Sequence, residues 1–199
     1  QGVIENEKKN RIFETIYVST DSIKIKKMAL KYGAVVPYIR SKKLSNDHAI
    51  IKDVIDDFIK KIILDKNDKI NIFVLYPTSI FVDKNMIIKC SKMLKKAEYV
   101  TAVKKFPHPI ERALKFNNKN LKPINIKKKI MRTQDLKNYY YNSGQLDLFR
   151  LDAWIKKKIF YNMNVNFLVL KEFESVDIDN HEDLKLANKL FKLRKKKSI

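Results

Sequence analysis

Glycine is scarce in this chain: three among 199 residues, at Gly2, Gly33 and Gly144. A Walker loop or a dinucleotide fingerprint needs several glycines at fixed spacing, because the backbone must approach phosphate oxygens closely. Neither can be built here. Cysteine is scarcer still. Cys90 is alone and falls inside a predicted helix, which excludes a disulfide framework and a cysteine metal cluster. No apolar run approaches the roughly 18–20 residues of a membrane span, and the N-terminus has no signal-peptide core. The expectation is a protein of a reducing cytoplasm with no membrane partner. Acidic residues are also in the minority, 22 against 43 Lys and Arg, for a formal net charge of +21. The lysines spread along the whole chain beside abundant Ile and Asn, which reads as compositional bias and not as a built patch. Weak, salt-sensitive nucleic-acid affinity is expected, with no specific nucleic-acid partner.

What is present reads as one domain able to bury a core. Residues 11–18 have the pattern of a strand, and Ser19-Thr20-Asp21-Ser22 offers several capping side chains for a helix from Ile23 to a Gly33 C-cap. Ala34–Val36 reads as a short strand stopped by Pro37. Asn46-Asp47 caps a second helix with the stripe Ile50, Val54, Phe58 and Ile62. Ile70–Tyr76 is apolar enough for a strand buried on both faces, Asp83 opens a helix to about Lys96, and Tyr99–Val103 is another strand. This alternation predicts an α/β sheet with crossover helices. Residues 104–144 break the rhythm with proline, basic and tyrosine-rich segments and are expected to project from the sheet. It resumes with Gln145–Phe149, a short helix around Trp154, and Asn164–Leu170. The tail Arg194–Lys197 reads as frayed and solvated.

Near the C-terminus, Ser175-Val176-Asp177-Ile178-Asp179 alternates polar and apolar residues, the period of a strand. On a strand both aspartates would share one face, about 6–7 Å apart at the backbone, and such a pair favours a cation between them. The same residues also suit a turn with one capping and one solvated carboxylate. Asn180 followed by Asp183 predicts a variant capping box for the last helix.

Several segments, in order, resemble the CMP-sugar synthetases that activate nonulosonic acids such as sialic acid. They are Val18–Ser22, Lys31–Ala34, Arg40 with Leu44–Asp47, and Asp177–Asp179 with Glu182–Leu184. Tyr76–Phe81, Phe106–Ala113, Arg132–Leu136 and Gly144-Gln145 are similar to the pseudaminic acid cytidylyltransferases in particular. The resemblance spans about residues 11–192. It implies a three-layer α/β fold with a mostly parallel sheet of the nucleotide-diphospho-sugar transferase type, and a homodimer built by the projecting 104–144 segment. It implies an enzyme that joins CTP to a nonulosonic acid, giving CMP-sugar and pyrophosphate for surface glycans, with Mg²⁺ held by Asp177 and Asp179. It further assigns Arg40 and Ala49 to the nucleotide, and Tyr76, Arg112, Arg132 and Gln145 to the sugar. Ile51 stands where the family usually carries a hydroxyl, and Tyr141-Asn142-Ser143 where the branch usually has His-Asp. His108 and His181 read as structural or solvated. The family begins with a strand and an Arg/Gly/Ser/Lys loop for the triphosphate. Residues 1–10 read as the end of the helix after that loop, so residues 1–199 are expected to form one N-terminally truncated domain whose turnover depends on that loop. The alternative expectation is a non-catalytic remnant or partner subunit that binds sugar or an acidic polymer.

Overall fold

A computed structural model describes residues 12–62, 69–117 and 119–197. The helix end expected over residues 1–10 lies outside them. Helix α1 (Ile23–Lys31) starts where the Ser22 hydroxyl accepts the Ile25 N–H at 3.3 Å. It stops before Gly33, whose φ of +76° lies in the left-handed region that glycine enters without penalty. The segments flanking α1 run parallel, bridged at Tyr17–Val35 and Thr20–Ile39. The strands expected over 11–18 and 34–36 are thus reduced, among the described residues, to the single bridge Tyr17–Val35; residue 11 lies outside them. Arg40 is anchored by its own N–H, which donates to the Thr20 carbonyl at 2.9 Å.

Helix α2 (Ile51–Ile62) begins later than the Asn46 cap implied; Asn46 instead closes a turn by accepting the His48 N–H at 3.0 Å. Its buried residues are Ile55 and Ile59, one position round from the expected stripe. Ile50 is exposed, and Phe58 meets Tyr17 at 5.2 Å between ring centroids. The helix has apolar neighbours on two sides, so its stripe alone could not orient it.

Strand β1 (Asn71–Leu75), helix α3 (Lys84–Leu94) and strand β2 (Tyr99–Lys105) follow. The chain then leaves the sheet at the C-terminal end of β2. It forms a separate hairpin of β3 (Leu114–Asn117) and β4 (Asn120–Pro123), then the short helix α4 (Ile126–Lys129). It returns as β5 (Tyr140–Arg150), then helix α5 (Leu151–Lys157), β6 (Val165–Val169) and helix α6 (His181–Lys197). The main sheet has the order β1-β5-β2-β6. β2 and β6 pair in parallel, whereas β5 is antiparallel to both β1 and β2. The physical reason is the route. No helix carries the chain back to the other end of the sheet between β2 and β5, so β5 enters from the end where β2 left.

Side-chain alternation along β5 divides the core. Leu146 and Leu148 face α3 with Ile87, Cys90 and Leu94; Phe149 lies on the opposite side with Ile55, Ile59 and Trp154. Burying each such large side chain favours folding by about 1.5–3 kcal/mol. Cys90 is fully enclosed, and burial pushes its thiol up to about 11, so it acts as a small core residue.

The C-terminal segment departs from expectation twice. Residues 175–179 form no strand; the chain runs extended from a 3₁₀ turn (Glu172–Glu174) into α6. Among the described residues β6 is the edge of the sheet, and residues 175–179 pair with no strand there. The capping box is present: Asn180 Oδ1 accepts the Glu182 and Asp183 N–H groups, and Asp183 Oδ2 accepts those of Asp179 and Asn180. Arg194 is no frayed tail. α6 continues to Lys197, and the Arg194 guanidinium donates to the Phe81 carbonyl at 2.5 Å and to the Asp83 carboxylate.

Candidate functional site

A cleft of about 270 Å³ opens between the 3₁₀ turn Lys42–Leu44, the start of α2 and the end of β1. Arg40, Leu44, Ser45, Asn46, Ala49, Ile51, Val54 and Tyr76 line it, so three of the expected site residues converge from separate segments. Arg40 Nε–H donates to the Ser45 hydroxyl at 2.9 Å, and that hydroxyl donates to the Ser41 carbonyl at 2.9 Å. A relay of this kind holds the guanidinium across the cleft instead of leaving it to solvent.

Tyr76 enters from the turn after β1. Its N–H donates to the Ser79 hydroxyl at 3.0 Å, and Ser79 Oγ donates to the Gln145 carbonyl at 2.5 Å. Ser79 is buried, so the turn is pinned to β5 from inside. Tyr76 OH then reaches the Asp147 carboxylate at 3.2 Å.

Asp147 is the residue the sequence reading missed. It is 3 % exposed, yet no cation meets it among the described residues. Its oxygens accept from Tyr99 OH at 2.5 Å, Thr101 Oγ1–H at 2.7 Å, Tyr76 OH at 3.2 Å and Asn142 Nδ2–H at 3.4 Å. Burial, then the nearby carboxylate, pushes the Tyr76 and Tyr99 phenols well above their ordinary value. One signal could have found it. Leu146-Asp147-Leu148-Phe149 sets a carboxylate inside an apolar strand, and a buried charge has to be paired or heavily hydrogen-bonded.

β5 is irregular beside this network. Its register against β2 shifts between Thr101 and Val103, so residues 143–146 bulge. Ser143 Oγ donates to the Ala102 carbonyl at 2.8 Å, and the Gly144 N–H donates to Asn142 Oδ1 at 2.8 Å. Gly144 has a φ of +62°. A Cβ there would stand 3.9 Å from Asp177 Oδ1, so the bulge and the Asp177 carboxylate are neighbours. Gln145 points inward, 1 % exposed, with its amide NH₂ on the carbonyls of Ser143, Gly144 and Val176 at 3.4–3.5 Å. Its NH₂ group ties the bulge to the segment before Asp177, while its buried Oε1 has no hydrogen-bond partner among the described residues. Asp177 and Asp179 are both exposed, one residue apart around half-buried Ile178.

The remaining candidates lie in the excursion. Arg112 donates to the Met131 carbonyl at 2.5 Å and to Thr133 Oγ1 at 3.1 Å, and Arg132 pairs with Asp135 at 3.0 Å. The two arginines therefore fasten the same loop, and neither lines the cleft at Arg40. Asp177 and Asp179 suit a hard divalent ion. They are solvent-facing oxygen donors at the C-terminal side of parallel strands, and Mg²⁺ takes one or two carboxylates with water and phosphate for the rest. No cluster of three or more His, Cys, Asp or Glu is present among the described residues.

Known proteins resemble this chain in sequence and in fold. The chain is 30 % identical over 195 residues to the pseudaminic acid cytidylyltransferase of Campylobacter jejuni (strain 81-176), spanning 96 % of this chain and 83 % of that one. It is 30 % identical over 204 residues to a CMP-N,N'-diacetyllegionaminic acid synthase of Legionella pneumophila, spanning 90 % and 79 %. In fold it is similar to a CMP:2-keto-3-deoxy-manno-octonic acid synthetase, with a TM-score of 0.64 at 12 % identity over 98 % of this chain and 87 % of the other. It is also similar to a 4-diphosphocytidyl-2C-methyl-D-erythritol synthase of Anaerococcus prevotii, with a TM-score of 0.60 at 12 % identity over 96 % and 89 %. A sequence model described as cytidylyltransferase matches residues 1–197, and on that match this chain belongs to the cytidylyltransferase family.

Proposed function

We propose that the protein couples CTP to a nonulosonic acid of the pseudaminic or legionaminic type, releasing pyrophosphate. The observation that carries this reading is the cleft in which Arg40, Ala49 and Tyr76 meet, connected through β5 to the bulge beside Asp177. In the reaction the sugar's anomeric hydroxyl oxygen bonds to the α-phosphorus of CTP. The α–β phosphoanhydride breaks, pyrophosphate leaves and the hydroxyl proton passes to water. Little covalent work falls to the protein, whose part is positioning and charge. Arg40 would face the base, with Ala49 presenting backbone to it, and Tyr76 would close the cleft on its β1 side. Arg112 and Arg132, on one loop, would meet the sugar carboxylate as bidentate donors. Gln145 would shape the sugar side through the bulge it secures.

Asp177 and Asp179 would hold Mg²⁺, which when bound offsets negative charge on the phosphates. Their own part is to bring acceptor oxygens next to Gly144 in an otherwise basic protein. The cytoplasm is our proposed place for the reaction, because the reaction consumes CTP. No helix among the described residues is long and apolar enough to cross a membrane.

Pyrophosphate release from CTP and pseudaminic acid tests the reading. Asp177→Asn and Asp179→Asn are expected to lower turnover by about two orders of magnitude or more, with the loss largest at low Mg²⁺. Full activity of both variants would remove the metal role. No CMP-sugar from any form would remove the enzyme reading.

A further inference from the structure

Asp147 touches neither the cleft nor the exposed aspartates, yet it binds to residues that border both. On one side Tyr76 lines the cleft and gives its hydroxyl to Asp147 Oδ2. On the other side Asn142 gives its amide N–H to Asp147 Oδ1 and to Thr101 Oγ1, while its amide oxygen accepts the Gly144 N–H at 2.8 Å. Gly144 in turn abuts the Asp177 carboxylate. The remaining contacts, from Tyr99 and Thr101 on β2, fix the carboxylate itself.

A buried carboxylate without a cation is costly, and hydrogen bonds to a charged acceptor are worth more than neutral ones. All four contacts are donors to Asp147, which suits an acceptor-only group. If the network served stability alone, apolar residues of like volume would do as well or better. Its two arms instead end on the two parts of the site.

We propose that Asp147 is a positioning residue that sets Tyr76 in the nucleotide cleft and the Asn142–Gly144 bulge against Asp177 as one coupled unit. The proposal rests on the cytidylyltransferase reading for its substrate but not for its geometry. Each arm has its own consequence. Loss of the Tyr76 contact frees a ring that lines the cleft. Loss of the Asn142 contact frees the amide that holds Gly144 at positive φ.

The test is CTP affinity by calorimetry on the purified protein, in four forms. Asp147→Asn keeps the volume and replaces one acceptor oxygen by a donor that faces donors. It is expected to weaken CTP binding about three- to ten-fold, the range of one ordinary net hydrogen bond, because Asp147 reaches the cleft only through Tyr76. Tyr76→Phe, which removes only the hydroxyl that meets Asp147, is expected to weaken it by the same factor. The Asp147→Asn/Tyr76→Phe pair is expected to be no worse than either alone. The exchange Asn142→Asp with Asp147→Asn returns one carboxylate and one amide to the same cluster and is expected to restore affinity.

Unchanged CTP binding in Asp147→Asn, or additive losses in the pair, would overturn the proposal. A folded exchange variant no better than Asp147→Asn would also do so. If Asp147→Asn does not fold, Tyr76→Phe decides by itself, and an unaltered affinity there is fatal. Ultraviolet difference absorbance at about pH 11 gives a readout free of ligand: Asp147→Asn is expected to ionise more phenol there than the parent. A parent that binds no CTP would sink the cytidylyltransferase reading and leave that phenol count to judge the network.

Discussion

Tyr99 from β2 and Tyr76 from the end of β1 bring two hydroxyls to one carboxylate, and this sets a pH dependence. Burial first, and Asp147 second, raise both phenols in the folded protein. Tyr38 is pushed up to about 12, by burial and then by Asp57. Unfolded tyrosines ionise near pH 10. Above that value the unfolded chain sheds phenolic protons that the folded protein retains, so the unfolded state gains. The stabilisation is fully present below about pH 10 and is lost as pH rises through the folded-state values. Urea midpoints measured between about pH 8 and pH 11 are therefore expected to fall on the alkaline side. Tyr99→Phe is expected to flatten that fall. An equal slope in parent and variant would show that Tyr99 is not strongly perturbed.

At the level of elements, Asp83 joins two helices. One of its oxygens accepts the Met86 N–H at 2.9 Å and caps α3, and the other meets Arg194 of α6. α6 thereby closes over Phe81, which packs with Val176 and Ala187 beneath the Asp177 segment. Asp83→Ala is expected to cost about 1–2.5 kcal/mol, and Asp83→Asn, which keeps a capping oxygen, about half as much. Arg194→Ala is expected to cost less, about 0.5–1 kcal/mol, because the pair is more than a third exposed. Urea denaturation checks these values. Additive losses in Asp83→Ala/Arg194→Ala would show that the two ends are uncoupled. The Asp83 cap and the Asn180–Asp183 box were legible because both are local, made within four residues. The Arg194 contact was not, since it spans 111 residues.

Across the whole molecule, apolar exposure concentrates on the excursion. Phe116, Leu121, Ile124, Ile126 and Ile130 are 63–85 % exposed, on the hairpin, α4 and the turns beside them. Exposed apolar side chains grouped in one segment suit a contact surface. We expect the protein to be a homodimer joined through this face, with Tyr139 and Tyr140 at its margin. Sedimentation is expected to give twice the chain mass, and Ile126→Asp with Ile130→Asp is expected to give the monomer. A monomer at every concentration, with the parent chain, would sink the dimer.

The sequence by itself determined most of the helices, the caps at Ser22, Asp83 and Asn180, and an α/β sheet, because these follow from periodicity and from contacts within a few residues. It also named Arg40 and Ala49 for the nucleotide and Tyr76 for the sugar through ordered motifs; that the three line one cleft is a property of the fold. Tertiary structure decided what depends on distant segments. β5 runs antiparallel because the chain re-enters at the end it left. Residues 175–179 are not a strand because they pair with none of the described strands. Arg112 and Arg132 hold their own loop, and Asp147 becomes a hub only when β1, β2 and β5 lie side by side. A carboxylate surrounded by leucines states the need for hydrogen-bond donors; which hydroxyls meet that need is a property of the folded sheet.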